Sequence, residues 1–215
     1  MLGGTGHAAT GANAIVAGGE RNSAAGNLSF AGGFRAEVRA QDPGAFVWAD
    51  QAIDSPFTSN APNSFAVRST GGARFVTAVG GGGVPTNGVR IGPNEGAWSS
   101  LSDRAVKTAI ERIDVGQVLD RLLQMPISSW SYRGAEDAVR HIGPMAQDFF
   151  ASFGLGDSER HISTIDADGV ALAAIQGLNA KLEAENAALR AELERRDAAF
   201  QSRLEALEAR LEQRQ

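Results

Sequence analysis

A chain of 215 residues with 43% hydrophobic content accommodates one large domain or two small ones. It has no cysteine, which excludes disulfides and thiolate metal sites, and its three histidines, His7, His141 and His161, lack ligand spacing, so neither metal nor cofactor is expected. The formal charge of −5 gives no basic footprint for nucleic acid, and no uninterrupted apolar run is long enough for membrane insertion or a signal peptide. The opening MLGGTGHAATG reads as the middle of a repeat, so a fragment or a short gene product is expected.

Residues 1–102 hold 19 of the 26 glycines, which places a boundary near residue 100. Within this region Thr10-Gly11-Ala12-Asn13-Ala14-Ile15-Val16-Ala17-Gly18 lies over Ala25-Gly26-Asn27-Leu28-Ser29-Phe30-Ala31-Gly32-Gly33, a step of 15 residues at both Gly11/Gly26 and Gly18/Gly33. A diverged third copy sets Gly44-Ala45-Phe46-Val47-Trp48-Ala49 over Asn27-Leu28-Ser29-Phe30-Ala31-Gly32. Short repeats of small residues predict stacked β turns whose few apolar residues are buried only against neighbouring copies. A flexible linker is the alternative, but a linker has no reason to place aromatic and β-branched residues periodically. Phe65-Ala66-Val67-Arg68 and Ala73-Arg74-Phe75-Val76 read as strands joined by Ser69-Thr70-Gly71-Gly72, and residues 80–83 as a hinge. With so few large side chains to offset backbone entropy, association of identical chains is expected. The repeats resemble the head repeats of trimeric autotransporter adhesins, and the segment from Gly44 to Asp50 resembles a motif that closes such arrays.

Beyond residue 102 the pattern turns helical. Val106, Ile110 and Ile113 follow the spacing of one helix face, and Val115, Val118, Leu119, Leu122 and Leu123 make a second short helix after a break near Asp114. Pro126 ends it. Residues 127–132 alternate as a strand does, and residues 146–153 predict another helix. From Asp168 onward helix formers dominate: Ile175, Leu182 and Leu189 occupy d positions and Asn179, Asn186 and Leu193 a positions of a coiled coil. Phe200, Leu204, Leu207 and Leu211 continue in a frame shifted by a stutter. From Leu178 to the end, eight acidic and seven basic side chains give the solvated outer faces of such a coil.

Taken alone, Ser102 reads as a helix N-cap, Asp103 as a favourable first-turn acid and Lys107 as a solvated helix residue. Composition singles out Lys107, because Lys107 and Lys181 are the only lysines among 20 basic residues. Arginine stays charged at any accessible pH, whereas an amine can give up its proton.

Several landmarks in order carry a resemblance over residues 102–180. They are Ser102-Asp103 with Lys107, Met125-Pro126-Ile127 leading to Trp130 and Tyr132, and Arg140-His141-Ile142-Gly143-Pro144-Met145-Ala146-Gln147-Asp148. His161-Ile162-Ser163-Thr164-Ile165-Asp166 and Ala174-Ile175-Gln176-Gly177-Leu178-Asn179 complete them. This stretch resembles the intramolecular chaperone auto-processing domain of endosialidase tailspikes and phage tail fibres. It departs at Ala105, where a second basic residue is frequent, and at Ala109, where asparagine is. The resemblance implies a self-cleaving serine peptidase with Ser102 as nucleophile and Lys107 as general base. The cut would fall at Ser102, between Leu101 and Ser102 or between Ser102 and Asp103. His141 is an accessory candidate, weighed against a buried or half-buried structural histidine.

The expected fold class is α+β, a homotrimeric fibre end. A glycine-rich β stalk (1–101) precedes a mixed helical and strand chaperone domain (102–176) and a coiled coil (177–215). The partners implied are two identical chains, with a host surface receptor reached through upstream regions, and the setting is a phage or prophage tail fibre or the bacterial surface. The competing expectation is a trimerisation cap that is never cut off. A carbohydrate-cleaving tailspike is disfavoured, because residues 1–102 show no paired acids.

Overall fold

The computed structural model describes residues 3–134 and 139–212. The fold is mixed, with short parallel strands ahead of three α-helices, and the chain forms two compact units, Met1–Thr108 and Ala109–Gln215.

In the first unit, short coils stack as a two-sided β-solenoid. One sheet orders β2 (Ile15–Glu20), β4 (Phe30–Phe34), β6 (Phe46–Ala49) and β8 (Phe65–Arg68); the other orders β1 (Ala8–Ala9), β3 (Ser23–Ala24), β5 (Ala36–Val38) and β7 (Phe57–Thr58). All neighbours are parallel. Successive side chains of a strand face opposite ways, so the register decides what is buried. Ile15 pairs with Phe30, Phe30 with Phe46 and Phe46 with Phe65, which puts Val16, Ala31 and Val47 inside, with Ala24, Ala36, Val38, Ala45 and Ala49. The larger side chains form an outer ladder. Phe30 and Phe46 stack at 4.4 Å and Phe46 and Phe65 at 4.8 Å, while Ile15 and Phe65 at its ends remain 54% and 72% exposed.

The repeat read from the sequence holds for Ile15/Phe30 and Val16/Ala31, but a bulge then sets Gly19, not Gly18, against Gly33. The third copy is offset by one residue from the expected overlay, since Phe46 lies on Phe30 rather than on Ser29. A slip of one would have turned its interior residues outward. Residues 44–50 do not close the array either, because β8 adds a further coil. Beyond it, Arg68 donates to the carbonyl and carboxylate of Asp50 (2.8 and 3.2 Å), and Thr70 Oγ1 donates to the same carboxylate (2.6 Å). The strand around Phe75 does not join β8. It is β9 (Ala73–Val79), which forms an antiparallel sheet with β10 (Pro85–Ile91) and β11 (Ser99–Ser100). The glycine run expected to be a hinge is the turn of the β9–β10 hairpin.

In the second unit Asp114 caps α1 (Val115–Gln124) by accepting from the amides of Gly116 and Gln117, which explains the break seen before it. Ahead of it the expected helix face of Val106, Ile110 and Ile113 is absent. Only a 3-10 turn, Arg104–Val106, forms, and Ile110 and Ile113 are exposed. Residues 127–132 yield a three-residue strand, β12 (Ser128–Trp130), paired with β13 (His141–Gly143). The helix read at 146–153 is α2 (Ala146–Phe153). Met125, Phe149 and Val170 form a small core with Val118, Leu122, Phe153 and Ile162 around them. The long helix α3 runs from Thr164 to Glu212, four residues earlier at its start than the sequence reading. Gly177 lies where α1 meets it; a Cβ there would sit 2.3 Å from the Val115 carbonyl oxygen. Past Gly177 the described residues of α3 bury nothing, and Leu182, Leu189, Leu193 and Phe200 are exposed.

Two measurements test the solenoid. Buried Asn22 donates from Nδ2 to the carbonyls of Gly18 and Gly33 and accepts the Ala36 amide, each at 2.8 Å. Asn22→Ala leaves these groups unpaired, at on the order of 1–3 kcal/mol apiece, so the denaturant midpoint of the unit is expected to fall. The carboxyls of Asp42, Asp50 and Asp54 are held below their ordinary range chiefly by hydrogen bonds from Ser59, Thr70 and Arg35 respectively. Their contribution is complete above the unfolded carboxylate value of about 4 and is lost as pH falls through the lower folded values. Circular dichroism against pH should therefore show acid unfolding. Ser59→Ala, which removes the main donor to Asp42, should move that transition to higher pH.

Candidate functional site

Residues 99–107 leave the solenoid unit along the edge of its antiparallel sheet. Ser99 and Ser100 pair with Arg90 and Val89 of β10, and the next amide, Leu101 N–H, donates to the Gly88 carbonyl at 3.0 Å. The chain then turns back on itself. Asp103, with extended backbone, accepts the Ala105 amide at 2.9 Å and so caps the 3-10 turn; Lys107 N–H closes that turn on the Arg104 carbonyl at 3.2 Å. The cap expected from Ser102 is thus supplied by Asp103, because the turn begins one residue later.

Its hydroxyl is thereby left for another partner. Lys107 Nζ donates to Ser102 Oγ at 2.7 Å, across the turn that separates them by five residues. Both side chains are exposed in the single chain. Beside them lies a cleft of about 350 Å³ whose lining includes Phe75, Val76, Gly88, Arg90, Leu101 and Ser102. Arg74 and Arg90 are direct cross-strand partners on its wall, and Glu95 lies 4.0 Å from Arg90. A serine hydroxyl in hydrogen-bond contact with an amine has the components of nucleophilic attack, with the hydroxyl as nucleophile and the unprotonated amine as proton acceptor.

His141 belongs to the second unit. It begins β13, opposite Trp130, with its ring 4.7 Å from that indole and 5.4 Å from the Tyr132 ring. It is exposed rather than buried or half-buried as expected. Gln147 and Asp148 lie in the first turn of α2, where Asp148 complements the helix dipole. His161 accepts or donates a hydrogen bond with Ser158 at 3.1 Å, and His7 receives the Asn22 amide at 3.3 Å. Sequence reasoning did not single out Gly88. Its isolated position in a strand pattern was the available signal, since such a glycine marks a bulge or a close backbone approach.

Ala109, where asparagine is frequent in the resembling family, has φ of +51°. An L-residue other than asparagine, aspartate or glycine pays roughly 1–2 kcal/mol in that region. Ala109→Asn should raise the denaturant midpoint of the chain, and an unchanged or lower midpoint would contradict this account of the position.

Comparison with known families places one match on this segment. A peptidase family model described as chaperone of endosialidase matches residues 102–154, from Ser102 to the left-handed Gly154 that caps α2. The landmarks at 161–166 and 174–179 lie outside the matched stretch. No curated protein and no solved structure matches the chain. Among the described residues no helix is long and apolar enough to cross a membrane. The intramolecular chaperone domain recognised in the sequence is borne out over residues 102–154, the stretch that is similar to the chaperone-of-endosialidase family.

Proposed function

We propose that this chain is part of a homotrimeric tail or surface fibre, whose chaperone domain brings three chains into register and then releases itself by cutting at Ser102. The observation that carries the reading is the 2.7 Å hydrogen bond between Lys107 and Ser102 at the start of the matched segment. The outer Phe30–Phe46–Phe65 ladder, half-buried at Phe30 and Phe46 and exposed at Phe65, and the uncovered leucines of α3 support association. Large apolar side chains left bare in this way are favourably covered by a partner. Parallel β coils also close slowly, because loop-closure entropy precedes the contacts that offset it, and an assembly domain shortens that search.

The chemistry runs as an acyl shift. Lys107, as the free amine, takes the proton of Ser102 Oγ; the oxygen attacks the Leu101 carbonyl carbon through a five-membered ring. The Leu101–Ser102 C–N bond breaks, and the lysine proton passes to the departing Ser102 nitrogen, leaving an ester. Water then hydrolyses the ester to the Leu101 carboxylate and a Ser102 hydroxyl with a free α-amine. Attack on the carbonyl of Ser102 itself would need a strained four-membered lactone. Packing of partner chains over the exposed dyad supplies the desolvation under which a lysine acts as a base, and this links cleavage to assembly.

Expression of the full chain should give a fragment that begins with serine by N-terminal sequencing. Ser102→Ala and Lys107→Ala should leave the chain whole, as should Lys107→Arg, because a guanidinium does not give up its proton. An uncut wild-type trimer by light scattering would favour the permanent cap. A fragment beginning with aspartate would replace the acyl shift by attack from a neighbouring chain, and a monomer would remove the assembly reading altogether.

A further inference from the structure

Ser102 and Lys107 account for attack and proton transfer, but neither holds the acyl group in place. β11 is two residues long, and the last backbone bond before the proposed cut is Leu101 N–H to the Gly88 carbonyl, at 3.0 Å. Gly88 is the irregular point of β10. The register with β9 shifts on both sides of Asn87, and Gly88 has φ of +148°, with its own amide donating to the Asn87 side chain at 2.8 Å. A Cβ at this position would lie 2.2 Å from the Phe75 carbonyl oxygen. Bulges of this kind re-aim the groups of an edge strand. Here the irregularity sits at the residue whose carbonyl receives the Leu101 amide, one residue from the nucleophile.

We propose that Gly88 is a positioning residue for self-cleavage: its carbonyl anchors the Leu101 amide and so sets the Leu101–Ser102 bond beside the hydroxyl that Lys107 contacts. This rests on the self-cleavage reading. The segment upstream of the cut is thereby held as an added strand on β10, the way extended peptides are held on a sheet edge. A side chain at position 88 must push β10 away from Phe75, and the carbonyl that holds Leu101 moves with it.

The test uses the full chain, purified in denaturant and refolded at mildly acidic pH, where lysine is protonated. It is then jumped to higher pH, so that assembly precedes cleavage. Gly88→Ala should assemble to the wild-type extent and cut with a rate constant about 100-fold lower, the cost of a displacement near 1 Å at a reacting centre. The midpoint of its pH–rate profile should be unchanged, because proton transfer to Lys107 is untouched. A wild-type rate constant, a shifted midpoint, or a loss confined to the fraction of chains cut at the wild-type rate would overturn the role. Leu101→Pro removes the N–H from the other side of the bond and leaves the hairpin intact. It decides the matter if Gly88→Ala fails to assemble: a similar fall in rate sustains the role, and cutting at the wild-type rate refutes it. Failure of the wild-type chain to cut would instead refute the self-cleavage reading itself.

Discussion

The stacking distance of parallel strands, about 4.8 Å between neighbours, governs the first unit. At that spacing the corners of successive coils approach so closely that a Cβ on Gly33 would meet the Ala49 carbonyl oxygen at 2.1 Å, and one on Gly19 the Gly33 carbonyl at 1.9 Å. Both glycines have positive φ as well. Coils that step from Ile15 to Phe30, Phe46 and Phe65 then enclose so thin an interior that its buried apolar residues are alanine and valine, with Asn22, Ser29, Asp42 and Ser59 as buried polar groups. Those polar groups tie one coil to the next: Asn22 reaches two coils, and Ser59 links Arg39 and Asp42.

A thin interior forces large apolar side chains outward. Ile15, Phe30, Phe46 and Phe65 form a ladder on the outer face, which half-buries Phe30 and Phe46 and leaves Ile15 and Phe65 at its ends exposed. The second unit repeats the problem in helical form. Near its start α3 buries Val170, Ala173, Ala174 and Gly177, whereas Leu189, farther along, is 67% exposed. In the homotrimer proposed here, both surfaces face copies of themselves. The self-complementarity that symmetry requires of such contacts is met most simply by a ladder or a heptad seam. Asn179 and Asn186 on that seam then serve register rather than stability.

At the start of the matched segment, two neighbouring residues divide the labour. Asp103 caps the 3-10 turn, and this frees Ser102 from the structural task that a serine before a helix usually performs. The short turn returns Lys107 to the serine hydroxyl, whereas a regular helix beginning at Ser102 would have carried Lys107 up its side. The edge strand β11 fixes the other flank of the proposed cut. The Ser102 hydroxyl thus stands between a turn capped by the Asp103 carboxylate and a sheet edge held by backbone hydrogen bonds.

Much of this architecture was legible in local patterns, because periodicity and capping are local. The two-coil overlay of Ile15 on Phe30, the helices at 115–124 and 146–153 and the long C-terminal helix followed from residue type and spacing, and the ordered landmarks from Ser102 to Asp148 from a family resemblance. The first helix after residue 102 did not form. Its three apolar positions matched a helix face, but Ile110 and Ile113 stay exposed, and tertiary burial rather than spacing stabilises a short helix. The one-residue offset of the third coil, the bulge before Gly19 and the coil beyond Asp50 were likewise invisible, since register depends on which neighbour a strand meets. Sequence alone therefore determined most of the kinds of element and, through the family resemblance, the candidate pair Ser102 and Lys107. Only tertiary structure decided that Asp103 takes the cap, that Lys107 reaches the hydroxyl and that Gly88 receives Leu101, because each depends on where backbone groups distant in sequence come to lie.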